Sequence, residues 1–209
     1  MTRDLAISLY RVGFALLALA AIVVQLLDLA GKGTLNPVNY FSYFTIQSNL
    51  IGVAALLTAV LLRGSRPHWV DLFRGAGTVY LTITFLVFAV LLAGTDVDTA
   101  IPWVDTVLHK IFPIAIVVDW LLDPPLRMIT IRQAAYWLVY PLAWVAYSMT
   151  RGGLTGRYPY PFLDPVNGGY GTVALYIVGI LVLGVFVIAA VVVTARFVGR
   201  RESGANRAG

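Results

Sequence analysis

Residues 103–122 read WVDTVLHKIFPIAIVVDWLL. A bilayer core about 30 Å thick takes roughly 20 residues of mostly apolar helix to cross, and this run has that length and character. It nevertheless carries Asp105, His109, Lys110 and Asp119. Pro102 and Asp123-Pro124-Pro125 frame it, where missing backbone donors stop a helix. An ionisable group in hydrocarbon is costly, so it normally faces a bundle interior or a wet cavity and marks a functional site. His109 is therefore the first residue to examine. The only other histidine, His68, reads as a loop residue.

Five further segments pass the same length test, at about 6–30, 40–62, 75–94, 131–150 and 171–198. Unpaired backbone groups cannot face lipid, so each is expected to be a helix. Composition points the same way: 59% of residues are hydrophobic and 12% charged, too little charge to cover the surface of a soluble domain of this length. The expected fold is all-α, a single-domain integral membrane bundle of six transmembrane helices. The first segment is too long for a signal-peptide core and has no clear small-x-small cleavage site after a short core, so it reads as a span.

Lysine and arginine in loops and tails set the orientation. Arg3, Arg63, Arg66, Arg74, Arg127, Arg132 and the C-terminal Arg196, Arg200, Arg201 and Arg207 fall on one side, against Lys32, Arg151 and Arg157 on the other. The positive-inside rule then makes both termini cytoplasmic, with the tail 199–209 a basic anchor at an anionic leaflet. On this reading the net charge of +5 reflects topology, and no nucleic-acid partner is expected. The absence of cysteine excludes disulfides, thiolate metal sites and a cysteine nucleophile. Zinc, phosphate-loop and dinucleotide motifs are missing, a bis-histidine haem lacks its second histidine, and no matched broken helices suggest a transporter. No metal or cofactor is expected.

The second span opens with NYFSYFTIQSNL at 39–50. Thr45, Ser48 and Asn49 stand at i, i+3 and i+4, so they share one helix face, which must point into the protein. Starting that span at Tyr40 puts Thr45 about 7–8 Å in; starting the fourth at Trp103 puts His109 about 9 Å in from the same side. Asp105 sits one turn before His109 on the same face and can orient its ring. A hydroxyl, an imidazole and a carboxylate are the parts of a nucleophile, a base and an orienter. The same polar stripe also serves as interhelical glue in many bundles, so the residues alone leave catalysis and a structural network both open. Lys110 points about 100° away from His109 and either lines the same cavity or snorkels to headgroups. Asp119 reads as interfacial or paired with Arg127, and Arg11 as an inner-face anchor.

The longest connection, GGLTGRYPYPFLDPVNGG at 152–169, is too rich in breakers for a helix and too aromatic for a solvated linker. It is expected to be an extracytoplasmic cap, with Tyr158, Tyr160 and Phe162 packed on the mouth of the bundle.

Three stretches, YFTIQSNL at 43–50, LHKIFPIAIVVDW at 108–120 and YPFLDPVNGGYG at 160–171, together resemble the six-span androgen-induced and androgen-dependent TFPI-regulating proteins and their bacterial branch. The order and spacing match from the second span to the last. The resemblance implies an intramembrane hydrolase of fatty acyl esters, notably fatty acid esters of hydroxy fatty acids, in a multi-pass cell membrane protein, here of the bacterial inner membrane. It implies Thr45 as nucleophile and His109, four residues before Pro113, as base. Ser48, Asn49, Asp105 and Lys110 are then candidates to support the reaction or stabilise an oxyanion. Tyr160, Phe162, Asp164, Tyr140 and Trp144 are candidates for the pocket or cap, with Asp164 an alternative to Asp105 beside the imidazole. The partner is a membrane lipid or fatty acyl ester. The alternative is a non-catalytic lipid-binding or transport protein built on the same cavity.

Overall fold

The computed structural model describes residues 3–92 and 101–205, with side chains described as far as 195. Every regular element among the described residues is helical. Four helices are long and apolar enough to cross a membrane: α1 (Arg3–Gly31), α3 (Phe44–Leu61), α4 (His68–Val87, continued by a π-turn to Leu92) and the 169–195 portion of the C-terminal helix α9 (Gly169–Ala205). They suggest a membrane protein. Their outer faces agree, since Leu16, Leu27, Leu175 and Phe186 all stand exposed where water would disfavour them.

Two further tracts are helical without a break but change register. One runs from 102 to 122 through α5 (Pro102–Thr106), a π-turn (Val107–Ile111) and α6 (Phe112–Leu122). The other runs from 131 to 155 through α7 (Ile131–Ala135), a 3₁₀ turn (Tyr136–Leu138) and α8 (Val139–Thr155). Thr130 and Gln133 form a capping box that starts this second tract. Gly156, in the left-handed conformation at φ 69°, ends it.

α4 is the hub, packed against α3, α6 and α9, while α1 lies on α3 and the 102–122 tract. Gly52 permits a close approach: a Cβ there would lie 2.5 Å from Leu81 and 3.0 Å from Phe112. α8 stands off from this core and reaches it largely through large side chains, Trp144 and Tyr140 meeting Phe44 of α3.

Several sequence expectations change. The second span does not run unbroken from Tyr40. A short helix α2 (Pro37–Ser42) ends at Tyr43, whose extended backbone (φ −68°, ψ 130°) restarts the chain as α3, so Thr45 is the second residue of a helix rather than one within it. The third helix begins at His68, seven residues before the expected start. His68 is thus helical, and the polar residues Asp71 and Arg74 that read as loop are buried in its first turns. The end of the expected third span, residues 93 and 94, lies outside the described residues.

Those early residues of α4 belong to a buried ion cluster. Arg11 of α1 meets Asp119 at 2.6 Å and Asp123 at 2.5 Å; Arg74 meets Asp119 at 2.6 Å and Asp71 at 3.2 Å; Arg66 meets Asp71 at 2.8 Å and Asp123 at 2.7 Å. Asp119 is therefore paired with Arg11 and Arg74, not with Arg127, and Arg11 is 2% exposed and locked in this cluster. Three guanidiniums and three carboxylates cancel, which is how so many charges are tolerated away from water. Burial alone would push the Asp123 carboxyl up, but Arg74, Arg66 and Arg11 together hold it below its ordinary value.

Candidate functional site

The opposite end of α4, about 21 Å from Arg74 at 1.5 Å per residue, carries Phe88 and a second polar group. Thr45 and His109, both 7% exposed, meet there. Thr45 Oγ1 lies 3.2 Å from His109 Nε2, and His109 Nδ1 lies 2.8 Å from Asp105 Oδ1. The carboxylate accepts the Nδ1 proton, which leaves the Nε2 lone pair for the threonine hydroxyl. The ring is held from the side by Phe88, stacked at 4.2 Å between centroids and 16° between planes.

Local sequence explains why His109 sits in a π-turn. There the Phe112 amide donates to Val107, five residues back, instead of to the carbonyl four back. In that register residue 113 would donate to Leu108, but it is proline and has no amide proton. The orphaned Leu108 carbonyl is taken by Asn49, whose Nδ2 donates to it at 3.1 Å and to the Thr45 carbonyl at 2.8 Å. One amide side chain thus joins the helix that carries the hydroxyl to the turn that carries the imidazole.

Thr45 owes its position to the break at Tyr43. As the second residue of α3 it has an amide with no partner in its own helix. That amide donates instead to the hydroxyl of Tyr160, at 3.1 Å, and the same hydroxyl lies 3.2 Å from Thr45 Oγ1. The break is pinned from α8, where Trp144 Nε1 donates to the Ser42 carbonyl at 2.9 Å. Tyr160 itself is buried, with Trp144 at 5.9 Å, Tyr43 at 5.6 Å and Phe162 stacked on it at 5.2 Å. The expected 152–169 connection is shorter than its composition suggested, since α8 runs on to Thr155 and α9 starts at Gly169; the remaining 156–168 segment folds back onto the bundle and inserts a phenol beside Thr45.

The remaining candidates fall elsewhere. Both protons of the Asn49 amide are already donated, and Ser48 donates to the Thr45 carbonyl at 3.1 Å and lies 2.9 Å from the Thr84 hydroxyl; both residues fasten α3 instead of facing open space. Lys110 is exposed and lies 5.7 Å from the centroid of the Phe88 ring. Asp164 accepts the Val166 amide at 2.9 Å and caps the turn Pro165–Asn167, so Asp105 is the carboxylate on the imidazole. Tyr140 donates to Gln47 and packs on Tyr80, within the aromatic wall behind the site. Sequence reading missed Phe88, which is an ordinary aromatic in an apolar run. It also missed the bond from Tyr160 to Thr45, which joins residues 115 apart.

Two cavities meet at Thr45 and Tyr160. One, of about 380 Å³, is a vestibule bordered by Gln25, Asp28, Lys32, Asn36 and Asn39 as well as His109. The other is a narrow apolar crevice with about 70 Å³ of free space, lined by residues of α4, the 131–155 tract and α9 such as Ile83, Trp137, Val145, Ile180 and Gly184. Its α4 wall extends from Val79 to Leu92, about 20 Å of helix.

Comparison with known protein families finds no matching family model, and comparisons with curated proteins and with solved structures find no significant match.

Proposed function

We propose that this protein is an intramembrane esterase that hydrolyses lipid acyl esters, with Thr45 as nucleophile, His109 as general base and Asp105 as its orienting carboxylate. The observation that carries this reading is the hydrogen-bonded line from Thr45 through His109 to Asp105 at the junction of a polar and an apolar cavity. Such a junction suits an amphiphilic ester. The acyl chain runs into the crevice, the alcohol portion stays in the vestibule, and the ester carbonyl reaches Thr45. His109 takes the threonine proton as Oγ1 attacks, then gives it to the departing alcohol; water repeats the sequence on the acyl-threonine.

On the same reading the chain makes six crossings, the tracts 102–122 and 131–155 joining the four long helices. Both termini are cytoplasmic, and the site and the 156–168 cap lie on the outer side of a bacterial inner membrane. The resemblance to the androgen-induced and androgen-dependent TFPI-regulating proteins supplies the same threonine and histidine and the class of fatty acyl ester substrate.

Labelling of the purified protein in detergent with a fluorophosphonate probe tests this. We expect labelling of the native chain and its loss in Thr45→Ala and His109→Ala; undiminished labelling of either variant, or none of the native chain, would sink the assignment. A non-catalytic lipid carrier, the competing reading, predicts co-purified ester with its bond intact and no turnover of p-nitrophenyl esters.

A further inference from the structure

Packing does not require the hydroxyl of Tyr160, whose one structural service is to accept the otherwise unpartnered Thr45 amide at 3.1 Å. Its ring is already buried against Tyr43, Trp144 and Phe162, and a phenylalanine would fill the same space. What the oxygen adds is contact with both the backbone amide and the side-chain oxygen of Thr45, within 3.2 Å of each. A carbonyl oxygen attacked by Thr45 Oγ1 must come to rest in this same small region, about 3 Å from the nucleophile and from the donors that receive its charge. The other polar side chains near Thr45, Ser48 and Asn49, are committed to the Thr45 carbonyl.

We propose that Tyr160 is a catalytic residue of the esterase, donating its phenolic proton in a hydrogen bond to the oxyanion while the Thr45 amide donates a second. The proposal rests on the esterase reading above. In the free protein the donors are mutually satisfied: Thr45 donates its hydroxyl to His109, Tyr160 donates to Thr45 Oγ1, and the Thr45 amide donates to Tyr160. When the ester enters, the Oγ1–carbon bond forms and the carbonyl π pair moves onto oxygen. The Thr45 proton goes to His109 Nε2. The phenol turns its proton from Thr45 Oγ1 to the new oxyanion, which also replaces the phenol oxygen as acceptor of the Thr45 amide. Collapse restores the carbonyl, breaks the carbon–alkoxide bond and returns the proton from His109 to the alcohol. Tyr160 keeps its own proton throughout. Burial pushes that hydroxyl up to about 12, against the opposing hydrogen bonds from Thr45, so it remains a donor across the working pH range.

The site would thus be completed by the cap, since the phenol arrives from a segment far from Thr45 in sequence. This also gives α3 a use for its uncapped start, because an amide in the first turn of a helix favours a developing negative charge.

The test compares native protein, Tyr160→Phe and Thr45→Ala in turnover of p-nitrophenyl octanoate and in fluorophosphonate labelling. Loss of one oxyanion donor typically lowers kcat by about 10²–10³-fold, and we expect that loss in Tyr160→Phe with KM changed less than about threefold. Equal or faster turnover by Tyr160→Phe, in a native protein whose labelling depends on Thr45, overturns the proposal and leaves the esterase intact. A native protein that neither turns over nor labels through Thr45 fails the esterase reading itself. Should Tyr160→Phe not fold, a difluorotyrosine placed at 160 keeps the ring and the hydroxyl but ionises at lower pH. It should bring the alkaline fall of kcat down by more than one pH unit, and an unmoved profile counts against the donor role.

Discussion

Replacing Asp119 by asparagine tests whether the buried ion cluster holds the bundle together. Asp119 is 2% exposed at its side chain and receives Arg11, 3% exposed, and Arg74, 1% exposed, each at 2.6 Å. Asparagine keeps the shape but removes the charge, leaving two guanidiniums out of water with one less carboxylate. Breaking a buried pair by removing one partner costs about 3–5 kcal/mol. Arg11 retains Asp123 at 2.5 Å and Arg74 retains Asp71 at 3.2 Å, which places the expected loss near the lower figure, about 3 kcal/mol. For a chain of this size each kcal/mol moves the midpoint by about 2–4 °C, so Asp119→Asn should melt about 6–12 °C earlier. The control is Asp28→Asn, which breaks the Lys32 pair at 2.7 Å with 51% and 28% exposure and should cost at most about 1 kcal/mol. Thermal unfolding in detergent, followed by loss of the monodisperse peak, reads both. A double change, Arg11→Met with Asp119→Leu, removes a cation and an anion together and should recover much of the loss. If Asp119→Asn melts no earlier than Asp28→Asn, or the double change is worse than the single one, the reasoning about uncompensated charge is wrong.

Three other perturbations follow from the same geometry. Asp105→Asn should lower kcat by about 10³-fold at nearly constant KM in p-nitrophenyl ester turnover. This is less than the roughly 10⁴ of a fully buried triad carboxylate, because Asp105 is 22% exposed. Gly184→Leu should fill the deep end of the crevice: a Cβ there meets Ile83 at 3.5 Å and Leu138 at 3.7 Å, so the backbone tolerates it. Turnover of a palmitoyl ester should fall more than tenfold relative to a butyryl ester, with Gly184→Ala near native. For acid stability, Asp123 is held below its unfolded value of about 3.9, so its contribution is present above that pH and lost as pH falls through the folded value. Thermal midpoints should therefore drop below about pH 4, and Asp123→Asn should flatten that acid limb.

Much of the helical layout was legible because its signals are local. Apolar runs ended by Gly31, Gly64 and the Asp123-Pro124-Pro125 stop need no partner to be read. Helix start points put Thr45 and His109 at a similar depth without showing that their helices touch, and helical spacing put Asp105 on the histidine's face. Other features depend on residues far apart. Asp71 and Arg74 look like a polar loop until Asp119 and Arg11 arrive from other helices to neutralise them. The restart at Tyr43 is unmarked by glycine or by a side-chain cap, because its support comes from Trp144 across the bundle. Asn49 looked like a donor for substrate, yet the carbonyl that occupies it is freed by Pro113, a consequence visible only once the π-turn is known.

The apolar crevice lies between α8 and α9, on helices whose outer faces carry exposed Leu142, Tyr147, Val178 and Val182. On the proposed esterase reading, an acyl chain sliding along it toward Thr45 would come from the bilayer and not from bulk water. The quantity that governs saturation is then the mole fraction of ester in the membrane. Diluting the substrate with inert lipid at constant total amount should slow the reaction, while diluting the whole suspension with buffer should not.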